Sequence, residues 1–159
     1  IRGALGMKRQ VFFVARGGLD THSNQATTHA NILADVDASI SAFQQEMQVQ
    51  TTDQDVTLFT ESDFGRTFQT NSNRGTDHGW GETCFAVGGA VNGGLYGQFP
   101  TLQINGPDST DSRGRWIPTT AIDQMGATMA RWFGVAEADL PTVFPNIGNF
   151  PTSDLGFML

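Results

Sequence analysis

The stretch Gly75-Thr76-Asp77-His78-Gly79-Trp80-Gly81 sets a carboxylate beside an imidazole, with glycines on both sides. Glycine accepts the tight turns that aim both side chains at one point, and it lets another group approach closely. Because zinc takes carboxylate oxygen and imidazole nitrogen together, the stretch is a candidate metal site. On this pair alone the alternative stays open that Asp77 caps a turn and that His78 is a partly buried imidazole with its hydrogen bonds satisfied.

A second pair of the same kind, Asp20 and His22, follows two glycines upstream. Each pair comes after an apolar run, and open α/β sheets bind their ligands beyond the carboxyl ends of strands. Two Asp/His pairs in such loops favour one metal centre over two unrelated turns. We therefore expect Asp20, His22, Asp77 and His78 to converge on a site for divalent ions, with zinc, manganese and calcium as candidates.

Apolar patterns predict a strand before the first Asp/His pair, a helix after it, and then a second strand. Residues 10–15 (QVFFVA) form a continuous apolar run, typical of a strand buried on both faces of a parallel sheet. Residues 28–48 place apolar side chains at three- and four-residue steps, which indicates a helix, and His29 in its first turn is expected to be structural. Residues 56–60 (VTLFT) form the next run. This order predicts a βαβ unit and an α/β fold, part of a doubly wound, mostly parallel sheet flanked by helices.

Weaker patterns continue the chain downstream. The expected elements are a strand over residues 85–91, a short edge strand over residues 101–104 and a helix over residues 121–133 that Gly134 ends. Three prolines interrupt residues 135–159, which are predicted to be loop-like.

Composition excludes several classes of function. The chain of 159 residues carries a formal net charge of −7 and a single lysine, Lys8, so it is a poor candidate for binding nucleic acid or an anionic membrane. Cys84 is the single cysteine, which excludes an internal disulfide bond. No apolar run approaches the roughly 20 residues that cross a bilayer. The length suits a single domain, residues 1–159, with a hydrophobic core.

The first residues, Ile1-Arg2-Gly3-Ala4, lack an initiator methionine. This beginning is typical of a segment of a longer protein, so the absence of a signal peptide is uninformative. A doubly wound sheet without all of its strands leaves an unpaired edge and an incomplete helix layer. We therefore expect the chain to be covered by a partner segment, either the remainder of its own polypeptide or a second copy in a homo-oligomer.

Sequence motifs along nearly the whole chain resemble the C-terminal half of DUF1501 family proteins. They are residues 17–25 (GGLDTHSNQ), 60–67 (TESDFGRT), 75–81 (GTDHGWG), 88–94 (GGAVNGG), 117–120 (IPTT), 130–134 (ARWFG) and 143–148 (VFPNIG). That family resembles the alkaline phosphatase and sulfatase superfamily, which has a doubly wound α/β fold and commonly a two-metal site for phosphate or sulfate esters.

The resemblance implies a function for the full-length protein. The first expectation is a metal-dependent hydrolase of small anionic esters, phosphate or sulfate. The alternative is a non-catalytic exported protein, binding or structural, with a degenerate metal site; a phosphomutase-like isomerase is a third. Because family members typically begin with a twin-arginine signal, the resemblance also implies a periplasmic or otherwise exported location.

The superfamily's site residues carry over to this chain only in part. Asp20 and His22 resemble the pair that binds one metal, and Asp77 and His78 resemble the pair that helps to bind the second. Many relatives have a further histidine after the second pair, whereas this chain has none there and Glu82 could replace it. The nucleophile comes from the N-terminal half of such proteins, so the resemblance implies that this chain alone is inactive.

Two further charged residues in the motif TESDFGRT are candidates for the site. Arg66 could clamp an ester oxygen with its guanidinium group, or it could form a salt bridge to Asp63 or Glu61. Glu61 could be a ligand, or it could orient His22 or His78 from behind. The alternative for Glu61 is a carboxylate that accepts hydrogen bonds from backbone amides of its own loop.

Overall fold

Residues 6–159 form an α/β structure with three helices and one small sheet. The computed structural model describes residues 6–159, so the first four residues, on which the expectation of a longer protein rests, lie outside the described residues. The elements are α1 (Gln25–Val49), β1 (Leu58–Phe59), β2 (Ala86–Val87), α2 (Ile122–Phe133) and α3 (Leu140–Val143). Two 3-10 turns, Glu137–Asp139 and Ile147–Asn149, lie on either side of α3.

Helix α1 confirms the helix predicted over residues 28–48 and extends it at both ends. The helix begins after Asn24, which has a left-handed backbone at φ 47°, a conformation that asparagine tolerates better than most residues. Ile32 is the one buried residue of its apolar stripe; Val36 and Ile40, for example, are only half-buried. Helix α1 therefore fixes the end of the loop before it and keeps part of its apolar face accessible.

Helix α2 carries the hydrophobic core, which we call the α2 core. The predicted helix is confirmed, and it ends as expected at Gly134, whose φ of 100° is rarely adopted by a residue with a side chain. Ala127 of α2 packs with the buried side chains of Leu140 and Ile147. The prediction that residues 135–159 are loop-like was therefore wrong in part. Part of this segment forms α3 and two 3-10 turns, which are too short to show a period in the sequence.

The sheet within residues 6–159 is small and antiparallel. Strand β1 pairs with β2, with Leu58 opposite Val87 and Phe59 opposite Ala86. Each strand lies inside a predicted strand but is only two residues long. The edge strand predicted over residues 101–104 is wrong: the chain enters a turn there, and the Gly106 N–H donates to the Gln103 carbonyl at 2.8 Å.

The strand predicted over residues 10–15 is also absent from the described chain, and with it the βαβ unit. We call residues 11–14 (VFFV) the exposed segment, because 71–91% of each residue's surface is accessible. A strand is stable when a neighbouring strand satisfies its backbone groups and a packed layer covers its side chains. No strand among residues 6–159 pairs with this segment. Its apolar residues therefore do not form a strand in the described chain.

Candidate metal centre

Backbone hydrogen bonds fasten the loop that carries His22 to the loop of residues 74–76. The Thr76 N–H donates to the Thr21 carbonyl at 3.1 Å. Gly75 lies directly against the backbone of His22, where a Cβ atom would overlap the His22 carbonyl group. Glycine is therefore required at this crossing, and the requirement explains why the two motifs can come together.

A second crossing places His78 against the strand-like segment around Arg66. Arg66 and His78 form an isolated antiparallel bridge, and the Gly79 N–H donates to the Gly65 carbonyl at 2.6 Å. The Phe64 ring stacks on the His78 imidazole, with ring centroids 3.8 Å apart and planes tilted by 17°. Both the backbone and the ring face of His78 are thus held in place.

Three side chains converge where these loops meet, and we call them the triad: Asp20, His22 and His78. The Nε2 atoms of His22 and His78 lie 3.1 Å apart. Each of these nitrogens lies 3.0 Å from Oδ1 of Asp20. All three side chains are about half exposed, so the triad faces solvent. Within residues 6–159 this is the set of three or more potential metal-ligating side chains whose ligand atoms come within 4.8 Å of one another.

The fourth expected residue, Asp77, lies behind the triad rather than in it. Its Oδ1 is 3.4 Å from Nδ1 of His22, the ring nitrogen that faces away from Asp20. Asn71 donates to the same oxygen at 3.2 Å, and Arg113 donates to Oδ2 at 2.7 Å. The hydrogen bond from Asn71, opposed by desolvation and reinforced by Arg113 and His22, lowers the pKa of Asp77 below its ordinary value of 3.8.

Arg66 pairs with Asp20, a partner that the sequence did not suggest. Its Nε donates to Thr76 Oγ1 at 3.0 Å, and another of its nitrogens donates to the Thr76 carbonyl. Desolvation raises the pKa of the Asp20 carboxyl, but the hydrogen bond from Arg66 and the adjacent imidazoles outweigh it, so the pKa falls below 3.8. Asp20 is therefore anionic at neutral pH, as a ligand must be.

Glu61 and Glu82 do not join the triad. Both lie near Cys84, whose Sγ is 3.7 Å from Oε1 of Glu82. Burial, followed by the negative charges of Glu82 and Glu61, raises the pKa of the Cys84 thiol to about 11. No contact in the described chain supports a ligand role for either glutamate, and that role stays a prediction.

Sequence reasoning missed two residues of the site, Asn71 and Arg113. Together with Asp77 they line an open cleft of about 540 Å³. The other residues that line this cleft are Gln69, Thr70, Ser72 and Asn73. Asn71 stands in a polar, asparagine-rich loop close to the second motif, which was a weak signal. Arg113 lies 36 positions after Asp77, and nothing in its local sequence indicates the contact.

Comparison with known proteins places the chain in a family. The family model described as "Protein of unknown function (DUF1501)" matches residues 2–138, so the chain belongs to the DUF1501 family. No curated protein and no solved structure matches it. None of the helices in residues 6–159 has the length and apolar character that a bilayer crossing requires.

Proposed function

We propose that this DUF1501 protein binds a divalent metal ion through Asp20, His22 and His78. The observation that carries the proposal is the spacing of the three ligand atoms, 3.0–3.1 Å from one another. In a tetrahedral site with bonds of about 2.0–2.1 Å, neighbouring ligand atoms lie roughly 3.3 Å apart. The triad thus needs shifts of only a few tenths of an ångström to hold an ion.

The ligand types favour zinc among the candidate ions. Two imidazoles and one carboxylate suit zinc, whereas calcium prefers oxygen ligands throughout and manganese takes mainly carboxylates. Catalytic zinc sites commonly have three protein ligands and keep a fourth position open, and the half-exposed triad fits that pattern. An ion held there would supply Lewis acidity and an activated water.

On this basis we propose that the full-length protein is a metal-dependent hydrolase of phosphate or sulfate esters. Arg66 is the proposed contact to the anionic ester. Three of its five N–H groups donate to Asp20 and Thr76 in the described chain, which leaves two for an ester oxygen. Its charge beside Asp20 also limits the negative field that the net charge of −7 creates.

The remainder of the polypeptide completes this proposal. It would add the nucleophile and the strands of a doubly wound, mostly parallel sheet, and it would cover the exposed segment; a homo-oligomer is the alternative cover. The proposed location is periplasmic or otherwise exported, by family resemblance. Because the resemblance puts the nucleophile in the N-terminal half of such proteins, this chain alone is proposed to be inactive.

The test measures zinc content and ester hydrolysis in the full-length protein. Elemental analysis after incubation with zinc and dialysis at pH 7.5 should find metal at the triad, which His78→Ala removes and His29→Ala keeps, because His29 lies outside the triad. Hydrolysis of aryl phosphate or aryl sulfate should follow the metal content. Metal binding with no hydrolysis of either ester supports the non-catalytic alternative, and wild-type protein without metal contradicts the proposal as a whole.

A further inference from the structure

We infer that Asp77 is a positioning residue that fixes the tautomer and ring orientation of His22, rather than a metal ligand. The inference rests on the proposed metal site and deepens it. Asp77 and His78 are adjacent in sequence but would have different roles. His78 would face the ion, and Asp77 would act through His22.

The two nitrogens of His22 have different surroundings. Nε2 lies 3.0 Å from Asp20 and 3.1 Å from Nε2 of His78, whereas Nδ1 faces the Asp77 carboxylate at 3.4 Å. A neutral imidazole has one N–H group, and the Asp20 and Asp77 carboxylates compete for it, so the acceptor beside Nδ1 raises the share of the Nδ1–H tautomer. In that tautomer the lone pair is on Nε2, where a metal ligand needs it. The contact is long for a hydrogen bond, and such bonds often tighten when the site is filled.

The oxygens of Asp77 are already engaged. Oδ1 accepts from Asn71 at 3.2 Å as well as facing His22, and Oδ2 accepts from Arg113 at 2.7 Å. To reach an ion at the triad, the carboxylate would have to leave these donors. A carboxylate held by its own partners behind a histidine is the usual outer-shell arrangement, which orients the ring and raises its basicity.

Asn71 ties the carboxylate to the loop that carries His22. Its amide donates both to Asp77 and, at 3.0 Å, to the His22 carbonyl. Its side-chain oxygen accepts from the backbone of Asn73 and Gly75, each at 3.0 Å. Asp77 therefore keeps a fixed position relative to the backbone of His22. His78 is oriented differently, by the stacked ring of Phe64, so loss of Asp77 should act on His22 alone.

The experiment reads the tautomer of His22 in metal-free protein and then the affinity for zinc. Full-length protein with ¹⁵N-labelled histidine is studied by NMR at pH 8, and the His22 signals are assigned by their loss in His22→Gln. In wild type the tautomer of His22 should include a share of Nδ1–H that Asp77 stabilises against the competing acceptor Asp20. Asp77→Leu should shift it towards the Nε2–H tautomer, which free imidazole side chains favour, and should leave the His78 signals in place.

Zinc affinity, measured by competition with a chromophoric chelator, should fall roughly 10–100-fold in Asp77→Leu with the stoichiometry unchanged. Asp111→Asn is the matched control: Asp111 also pairs with an arginine, and its side chain is 32% exposed against 31% for Asp77. Asparagine keeps an oxygen for the Arg113 N–H that Asp111 accepts at 2.9 Å. The control should leave both tautomer and affinity at wild-type values.

Asp77→Asn keeps the size of the side chain and is the second variant in case Asp77→Leu does not fold. It should also weaken zinc binding and shift the tautomer. The single oxygen of a neutral amide cannot accept both from His22 and from Arg113, as the two carboxylate oxygens do. An unchanged His22 tautomer in both variants overturns the inference, and so does loss of one metal ligand from the coordination shell of Asp77→Asn. Wild type that binds no zinc would contradict the proposed function instead, and the metal-free tautomers would still decide the role of Asp77.

Discussion

Helix α2 and the exposed segment are both rich in apolar side chains, yet only α2 is covered. Leu140, which packs on α2, is 1% exposed, whereas Phe13 in the exposed segment is 91% exposed. The difference is the presence of a partner: α2 meets α3 and the following turn within 30 residues of sequence, and residues 11–14 meet nothing comparable in the described chain. An apolar pattern predicts that a surface will be buried, but it does not predict which residues will pack against it.

The largest expected effect lies in the α2 core. Leu140→Ala removes a fully buried side chain and leaves a cavity beside Ala127, so it should lower the free energy of unfolding by about 2–5 kcal/mol. Chemical denaturation followed by circular dichroism measures the loss. Val143→Ala is the control on the same helix, since Val143 is 53% exposed; equal losses in the two variants would contradict the assignment of the core.

A smaller effect is expected where the two site loops cross. Gly75→Ala puts a methyl group into the His22 backbone, and such overpacking costs about 1–3 kcal/mol. Because the loops must part, zinc affinity should fall together with stability.

Gly17→Ala is the matched control for this crossing, because a Cβ at Gly17 meets no atom within 4 Å. It should change neither quantity by much. A Gly75→Ala variant that binds zinc as wild type does would show that the crossing does not position His22.

The exposed segment should respond in the opposite way to the α2 core. Phe13→Ser should change the stability of the isolated chain by no more than about 0.5 kcal/mol, because the side chain makes little contact. Sedimentation velocity then identifies the cover. If the isolated chain self-associates and Phe13→Ser abolishes the self-association, a homo-oligomer is favoured as the cover. If the isolated wild type is monomeric and is more soluble as part of the full-length protein, the remainder of the polypeptide is favoured. A stability loss like that of Leu140→Ala would contradict the comparison.

Cys84 gives a chemical measure of partial burial. Because its pKa rises from 9.0 to about 11, the thiolate fraction at pH 8 should be about 100-fold below that of a free thiol, and alkylation by iodoacetamide should slow accordingly. The fold favours the neutral thiol, so this contribution to stability is complete below about pH 9 and is lost as the pH rises through 11. Alkylation at the rate of unfolded protein would contradict the burial.

Long periodic segments were the readable part of the fold. The stripes of α1 and α2 repeat over several turns, so their pattern survives without knowledge of the packing. Strands depend on neighbours far away in sequence, so the apolar pattern of residues 10–15 predicted a strand that the described chain does not form, and residues 11–14 are exposed. Strands β1 and β2 pair across a long loop, and the turns around Leu140 pack on α2. Stretches as short as these carry no readable period.

The sequence predicted the part of the candidate site whose residues lie close together in the chain. The two Asp/His pairs predicted that Asp20, His22, Asp77 and His78 converge; the structure brings Asp20, His22 and His78 together and places Asp77 beside His22. Their supports were not predictable: the pairing of Arg66 with Asp20 spans 46 positions, and that of Arg113 with Asp77 spans 36. Long-range ion pairs depend on the path of the loops, which no local pattern encodes.

X-ray absorption spectroscopy of the zinc-loaded, full-length protein tests the metal site most directly. A metal centre at the triad should give nitrogen and oxygen neighbours at about 2.0–2.2 Å from the zinc, with the multiple-scattering pattern of two imidazoles. His22→Gln and His78→Gln should each reduce that pattern by one ring. A shell that contains sulfur, or one with no imidazole contribution, would contradict a metal centre at Asp20, His22 and His78.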